Sequence, residues 1–322
     1  MVFIISGEKV CMRISAISSP YIIPKNPIRR VDTNRQNSYC NNSVQTPTIN
    51  FTGIPIKNLY IKFLENRCVK HAILGSKRPY LPLDNDLAEI TKPIKLKVGK
   101  KEKINGFDIN PNNSDKYVIF LHGFSQNITN NQPLYRQLAK SKFGILTIDY
   151  RGYGKNRSSK NTSENNIMED IQSAVNYLKA KGVKRIGLIG HSFGGYLAAK
   201  TSSVNNYDFQ ILVSPVTSME FWKNNVMKHP KKYPIEMALI RYLPKFKAQY
   251  AKIYSIDKYI KNNTTPTYVI HSKNDRYISS RSIRRFIDII KNNKHILMLQ
   301  SGGHSMQEIK IKKISDILNN EL

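Results

Sequence analysis

Acidic side chains are scarce in this chain: 22 Asp and Glu stand against 51 Lys and Arg in 322 residues, a formal net charge of +29. Cysteine is scarcer still. Cys11, Cys40 and Cys68 all lie in the first quarter of the sequence. Their odd number and wide spacing fit neither a disulfide framework nor a zinc-ligand pattern, and suit a reducing compartment. No apolar run reaches the ~18 residues a membrane-spanning helix needs. The apolar start Val2-Phe3-Ile4-Ile5 is shorter than the roughly 7–15 residues of a secretory signal core, and no cationic stretch precedes it. The expectation is a cytoplasmic protein, with export through the N-terminal tail left open.

The positive excess is not confined to a tail. Residues 1–90 hold 12 Lys and Arg against 6 Asp and Glu, which leaves 39 against 16 for the remainder. The basic residues are scattered, and no nucleic-acid fold signature accompanies them, so nucleic acid is not an expected partner. Two readings of the charge stay open: a composition biased toward Lys, Asn, Ile and Tyr, or attraction to anionic membrane or anionic substrate.

Patterning divides the chain in three. Residues 1–55 are rich in Asn, Ser, Pro and Thr without apolar periodicity, and are expected to be a disordered tail. Residues 56–90 read as a short amphipathic helix followed by a Pro-containing linker. From residue 91 to 322, short apolar runs alternate with helical periodicity, which implies a mostly parallel sheet with helices on both faces. Ile94–Val98 and Lys103–Ile109 read as an antiparallel pair at its start.

The strongest local signal is Gly190-His191-Ser192-Phe193-Gly194. An apolar run precedes it and a small-residue helical pattern follows, so the order is strand, G-x-S-x-G, helix. A chain that turns this sharply exposes the serine hydroxyl beyond the carboxyl end of the sheet. It also presents backbone N–H groups at a helix N-terminus, where developing negative charge is stabilised. A serine hydroxyl needs a base, and the base needs a group to orient it. In this topology the acid and then the histidine follow on later post-strand loops. Asp275, after Thr267–Ile270, and His304, after His295–Leu299, stand in those places. Asp149 is the weaker candidate acid because it precedes Ser192. An oxyanion hole needs two converging N–H donors. Phe193, next after the serine, is one candidate, and Phe124, in the loop His122-Gly123-Phe124-Ser125, is the other. This chemistry requires no metal and no organic cofactor, and no ligand cluster suggests one.

These residues resemble the α/β-hydrolase superfamily over roughly 94–322. The resemblance rests on His122-Gly123, Asp149-Tyr150-Arg151-Gly152-Tyr153-Gly154, the Gly190–Gly195 stretch, Asp275 and Gly303-His304. It is nearest the branches of the serine aminopeptidases, monoacylglycerol lipases and depalmitoylases. It implies an eight-stranded sheet, Ser192, Asp275 and His304 as a catalytic triad, and Phe124 and Phe193 as oxyanion donors. Ser272 departs from the glycine that commonly follows the strand-ending histidine.

Residues 215–263 are too long for a simple crossover and are rich in aromatics, as a helical lid would be. Phe221, Trp222, Tyr242 and Phe246 are the candidates to line an apolar substrate pocket there. The expected function is hydrolysis of a small-molecule or lipid carboxylic ester or thioester through an acyl-enzyme on Ser192. A serine peptidase of the aminopeptidase type is one alternative. A binding protein that has kept the fold without catalysis is the other.

Overall fold

The computed structural model describes residues 2–6, 9–13, 78–99, 102–110, 114–157, 159, 163–218, 255–261, 263–290 and 294–320. The chain divides into two compact units, Met1–Gly53 and Ile54–Leu322. In the first, β1 (Val2–Ser6) and β2 (Lys9–Arg13) pair antiparallel, with Val2 opposite Arg13. A ribbon thus occupies part of the segment expected to lack order. Its Val- and Ile-containing runs on either side of Gly7 carry the β propensity. The rest of 1–55 and the helix expected within 56–75 lie outside the described residues.

The second unit carries an eight-stranded sheet. Its strands are β3 (Thr91–Val98), β4 (Glu102–Ile109), β5 (Lys116–Leu121), β6 (Gly144–Ile148), β7 (Arg185–His191), β8 (Phe209–Val213), β9 (Thr267–Ser272) and β10 (Lys294–Leu299). Their order across the sheet is β10-β9-β8-β7-β5-β6-β4-β3. The pairs β3–β4 and β4–β6 are antiparallel and the other five are parallel. The expected opening pair is therefore present, and the sheet is mostly parallel, as the alternating pattern required.

Helices cover both faces. They are α1 (Asn85–Ile90), α2 (Gln132–Lys140), α3 (Glu164–Ala180), α4 (Phe193–Ser202), α5 (Asp257–Ile260), α6 (Ser280–Ile289) and α7 (Glu308–Asn320). Successive strand residues point to opposite faces, so a fully buried strand must be apolar throughout. In β5, Ile119 and Leu121 join the cluster formed by α3, α4 and α6, while Val118 and Phe120 join the one formed by α1, α2 and α7. Ser163 is the N-cap of α3, its hydroxyl accepting from the Asn166 N–H at 3.2 Å. Helix α1 falls within the stretch read as linker. It buries Leu87, and its N-cap Asp84 and first-turn Asp86 pair with Arg136 of α2. Six residues preceded by Pro79 and Pro82 carry too few turns for periodicity to reveal them.

The loop after β6 is pinned by an ion network. The buried Arg151 guanidinium donates to Asp170 at 2.7 Å, Glu169 at 2.8 Å and the Asn166 carbonyl at 2.6 Å. The Asp170 carboxylate also accepts the Arg151 N–H at 2.8 Å. Removing one partner of a buried pair strands the other charge. Asp170→Ala is expected to lower folding stability by about 3–5 kcal/mol, read from the urea midpoint at unchanged slope.

Candidate active site

Parallel strands deliver their carboxyl ends to one edge of the sheet, and the loops leaving that edge meet there. In the β5–β7 pair Leu121 lies opposite Gly190, so the loop holding Phe124 runs beside Ser192. In the β7–β8 pair His191 lies opposite Val213, whose carbonyl accepts the Ser192 N–H at 2.9 Å. β9 leads to Asp275 and β10 to His304. The sheet order alone therefore gathers residues spread over about two hundred positions of sequence.

Ser192 is the turn itself. Its φ of 56° and ψ of −113° lie in a region that side chains other than glycine rarely occupy. Two glycines make the turn possible by close approach. A Cβ on Gly194 would sit 1.9 Å from the Leu121 carbonyl oxygen, and one on Gly190 would sit 2.2 Å from that of Gly194. Helix α4 starts at Phe193, the residue after the serine.

Ser192, His304 and Asp275 form one hydrogen-bonded line. His304 Nδ1 is 2.8 Å from Asp275 Oδ2, and His304 Nε2 is 2.9 Å from Ser192 Oγ. A carboxylate can only accept, so Nδ1 carries the proton, Nε2 is left as an acceptor, and the serine hydroxyl donates to it. The other carboxylate oxygen, Asp275 Oδ1, accepts the N–H groups of Tyr277 and Ile278 at 2.8 and 2.9 Å. Burial alone would raise the Asp275 pKa. The bond from His304, the attraction between the two and the backbone donors outweigh it and hold the carboxyl down at about 2.

The loop carrying His304 is fastened from several sides. Gly302 and Gly303 turn it with φ of 118° and 53°, and the Gly303 N–H donates to Asn274 Oδ1 at 2.9 Å. His191, buried and kept neutral by that burial, has its pKa lowered to about 3 and donates from Nε2 to the His304 carbonyl at 2.8 Å. Lys310, in the first turn of α7, is fully buried. Its ammonium reaches the carbonyls of Gly303, His304 and Ser305 at 2.6, 3.3 and 3.2 Å, and Ser214 Oγ at 3.0 Å. Sequence reasoning missed Lys310, although one signal was available. Positions 310, 314 and 317 form one helical stripe, and a lysine stands there in phase with two buried isoleucines.

The candidate acid Asp149 serves elsewhere. Its carboxylate accepts the N–H groups of Ile128 and Lys155, each at 3.0 Å, and burial raises its pKa to about 6. His122 is buried and neutral, its pKa lowered to about 4 by burial. It donates to the Gly123 carbonyl at 3.0 Å and stacks on Tyr150. The rings of Phe124 and Phe193 stack with centroids 4.1 Å apart, so the residues expected to supply the oxyanion donors are neighbours. Beside His304 opens a cleft of about 820 Å³ lined in part by Asn274, Tyr277 and Ile309. Phe221, Trp222, Tyr242 and Phe246 lie outside the described residues, as does most of 215–263.

The paired Asp275 makes folding sensitive to acid. Its pKa is lower in the folded chain than the ordinary 3.8, so its contribution is present above about pH 4 and is lost as the pH falls toward 2. Asp275→Asn is expected to flatten stability against pH in that window, by roughly 2 kcal/mol over its span, measured by denaturant unfolding at stepped pH.

Comparison with known proteins agrees with this architecture. Residues 112–255 match the family model described as serine aminopeptidase, S33. The chain is similar to the uncharacterized protein YfhR of Escherichia coli (strain K12), 23% identical over 191 residues, covering 58% of this chain and 62% of that protein. It is also similar to the lysophosphatidylserine lipase ABHD12 of Danio rerio, 25% identical over 213 residues, covering 61% of this chain and 51% of that one. The match thus spans less than two thirds of either relative. Among solved structures, the Pyrococcus furiosus esterase Pf2001 superposes with a TM-score of 0.63 at 22% identity, over 76% of this chain and 96% of its own. The sheet order, the sharp turn at Ser192 and these matches together give the chain the α/β-hydrolase fold.

Proposed function

We propose that the protein is a serine hydrolase that cleaves carboxylic esters or thioesters through an acyl-enzyme on Ser192. One observation carries the reading: the polarity of the Ser192–His304–Asp275 line, in which the serine donates to an imidazole whose far nitrogen is held protonated by a carboxylate. In acylation His304 takes the hydroxyl proton as Ser192 Oγ attacks the carbonyl carbon. The imidazolium then protonates the leaving alcohol or thiol as its bond to that carbon breaks. In deacylation a water gives its proton to His304 and its oxygen to the acyl carbon, and Ser192 leaves as the alcohol. Asp275 fixes the tautomer and stabilises the imidazolium. The Phe124 and Phe193 N–H groups are proposed to hold the oxyanion, the second favoured by the N-terminus of α4.

The ester class is supported by what similar proteins are called: a lysophosphatidylserine lipase among relatives and an esterase among structures. Small-molecule or lipid esters are therefore the proposed substrates, taken by a soluble cytoplasmic enzyme. Among the described residues no helix is long and apolar enough to cross a membrane. Contact with anionic lipid is proposed as peripheral, drawn by the positive charge. The peptidase alternative keeps the same triad and differs in substrate. Release of N-terminal residues requires recognition of a free amine, and residues 215–263 offer few acids for it, among them Glu220, Glu236 and Asp257.

Labelling with a fluorophosphonate is expected in the wild type and absent in Ser192→Ala. Ester turnover is expected to fall by roughly 10⁴–10⁶ in Ser192→Ala and His304→Ala and by about 10⁴ in Asp275→Asn, with folding checked by circular dichroism. A series of p-nitrophenyl esters, acyl thioesters and aminoacyl anilides then separates the substrate classes. Turnover confined to the anilides would install the peptidase reading. A folded wild type that neither labels nor turns over any of them would install the binding-protein reading.

A further inference from the structure

We propose that Lys310 is a positioning residue for the reaction: its buried ammonium clamps the His304 loop to the segment after β8 that braces the turn carrying Ser192. The inference rests on the hydrolase reading and adds a residue to it. Three observations support it.

The first is connectivity. Lys310 Nζ joins three consecutive carbonyls of the His304 loop to Ser214 Oγ. Ser214 follows β8 with φ of 45°, and its chain neighbours hold the turn at Ser192: the Val213 carbonyl accepts the Ser192 N–H, and the Val216 N–H donates to the Ser192 carbonyl. One ammonium thus links the loop that bears His304 to the segment that braces the turn bearing Ser192. The second is burial. Lys310 has no solvent-exposed surface, and a charge held there is costly unless hydrogen-bonded throughout. With three hydrogens and four acceptors it is fully used. The third is its surroundings. The titratable groups facing it are Asp275 and His271 from β9 and the loop after it, His304 on the clamped loop, and His191 beside Ser192. His191 and His271 are kept neutral, chiefly by burial. Asp275 is the opposite charge whose attraction favours the ammonium.

Burial lowers the Lys310 pKa to about 8, against a smaller opposing pull from Asp275. As pH rises through that value the ammonium loses one hydrogen and its charge, and the clamp weakens. The folded pKa lies below the ordinary 10.5, so the folded state sheds this proton first and stability from this group rises over the same interval. Activity and stability are therefore expected to move in opposite directions, which a purely structural lysine would not produce.

The test is Lys310→Met, which keeps the straight stem and removes the donors. It relieves a buried charge but leaves four buried acceptors without this donor, so its folding is checked by thermal midpoint before activity is read. Its kcat on a p-nitrophenyl ester is expected to fall about 10–100-fold with KM within about twofold, the signature of a mispositioned base rather than lost binding. The wild-type decline in kcat near pH 8 should vanish in the variant. Backbone amides of residues 301–307 should exchange faster in deuterated water. A folded variant with wild-type kcat, alkaline profile and exchange would overturn the proposal. Should the variant not fold, a wild-type profile with no decline near pH 8 overturns it equally. A wild type that neither labels nor turns over any ester, thioester or anilide defeats the hydrolase reading, while the exchange measurement still decides whether Lys310 clamps the loop.

Discussion

The pairing of β5 with β7 is the constraint on which the site depends. It sets Leu121 against Gly190 at the end of both strands, so the two chains leave the sheet side by side. One turns at once into helix at Ser192; the other runs through Gly123 and Phe124. The turn has to be tight because Gly194 already lies against the Leu121 carbonyl, with no room for a Cβ. The positive φ of Ser192 is the conformational cost of that tightness. It is sustained by the parallel strands on either side, which leave the backbone no alternative course.

Electrostatics completes what topology begins. The edge of the sheet is buried, and burial drives titratable groups toward their neutral forms. His122, His191 and His271 obey this, and their pKa values fall to about 4, 3 and 4. Asp275 resists because the His304 ring and two backbone N–H groups compensate its charge. The contrast assigns roles without reference to motif. The neutral histidines brace carbonyls or fill space, whereas the charged Asp275 points at His304, whose other nitrogen reaches a hydroxyl.

The parts of this arrangement that were legible in the sequence share a physical trait: each is local. Alternation at residues 94–98 gave the antiparallel strand, and the continuous run 118–121 gave the doubly covered one. The turn at Ser192 announced itself through glycines that exclude side chains. Asp275 and His304 were legible because each follows a strand directly. What escaped depends on contacts between distant segments. Nothing near Asp149 in sequence indicates that its carboxylate serves the N–H of Ile128. Nothing near His191 indicates that it bonds to a carbonyl more than a hundred residues later. Helix α1 escaped for a different reason, since six residues carry too short a pattern. The four candidate lid residues lie outside the described residues.

Lys310 sharpens the distinction between local and non-local rules. A helix stripe at 310, 314 and 317 asks for an apolar residue at its first position, and packing alone would be served by methionine or leucine. The lysine breaks the local rule at the point where α7 passes under the His304 loop. That loop is built on Gly302 and Gly303, which let it reach over the sheet edge but give it little rigidity of its own. A flexible loop that must present an imidazole at 2.9 Å from a hydroxyl needs rigidity supplied from elsewhere. Beyond the Gly303 N–H given to Asn274, its backbone offers carbonyls for the purpose. An ammonium is a compact donor able to gather several carbonyls at once, which is what an apolar residue of the same length cannot do. The violation of the helix pattern and the flexibility of the loop therefore answer one another, as expected where sequence serves a site at the expense of the core.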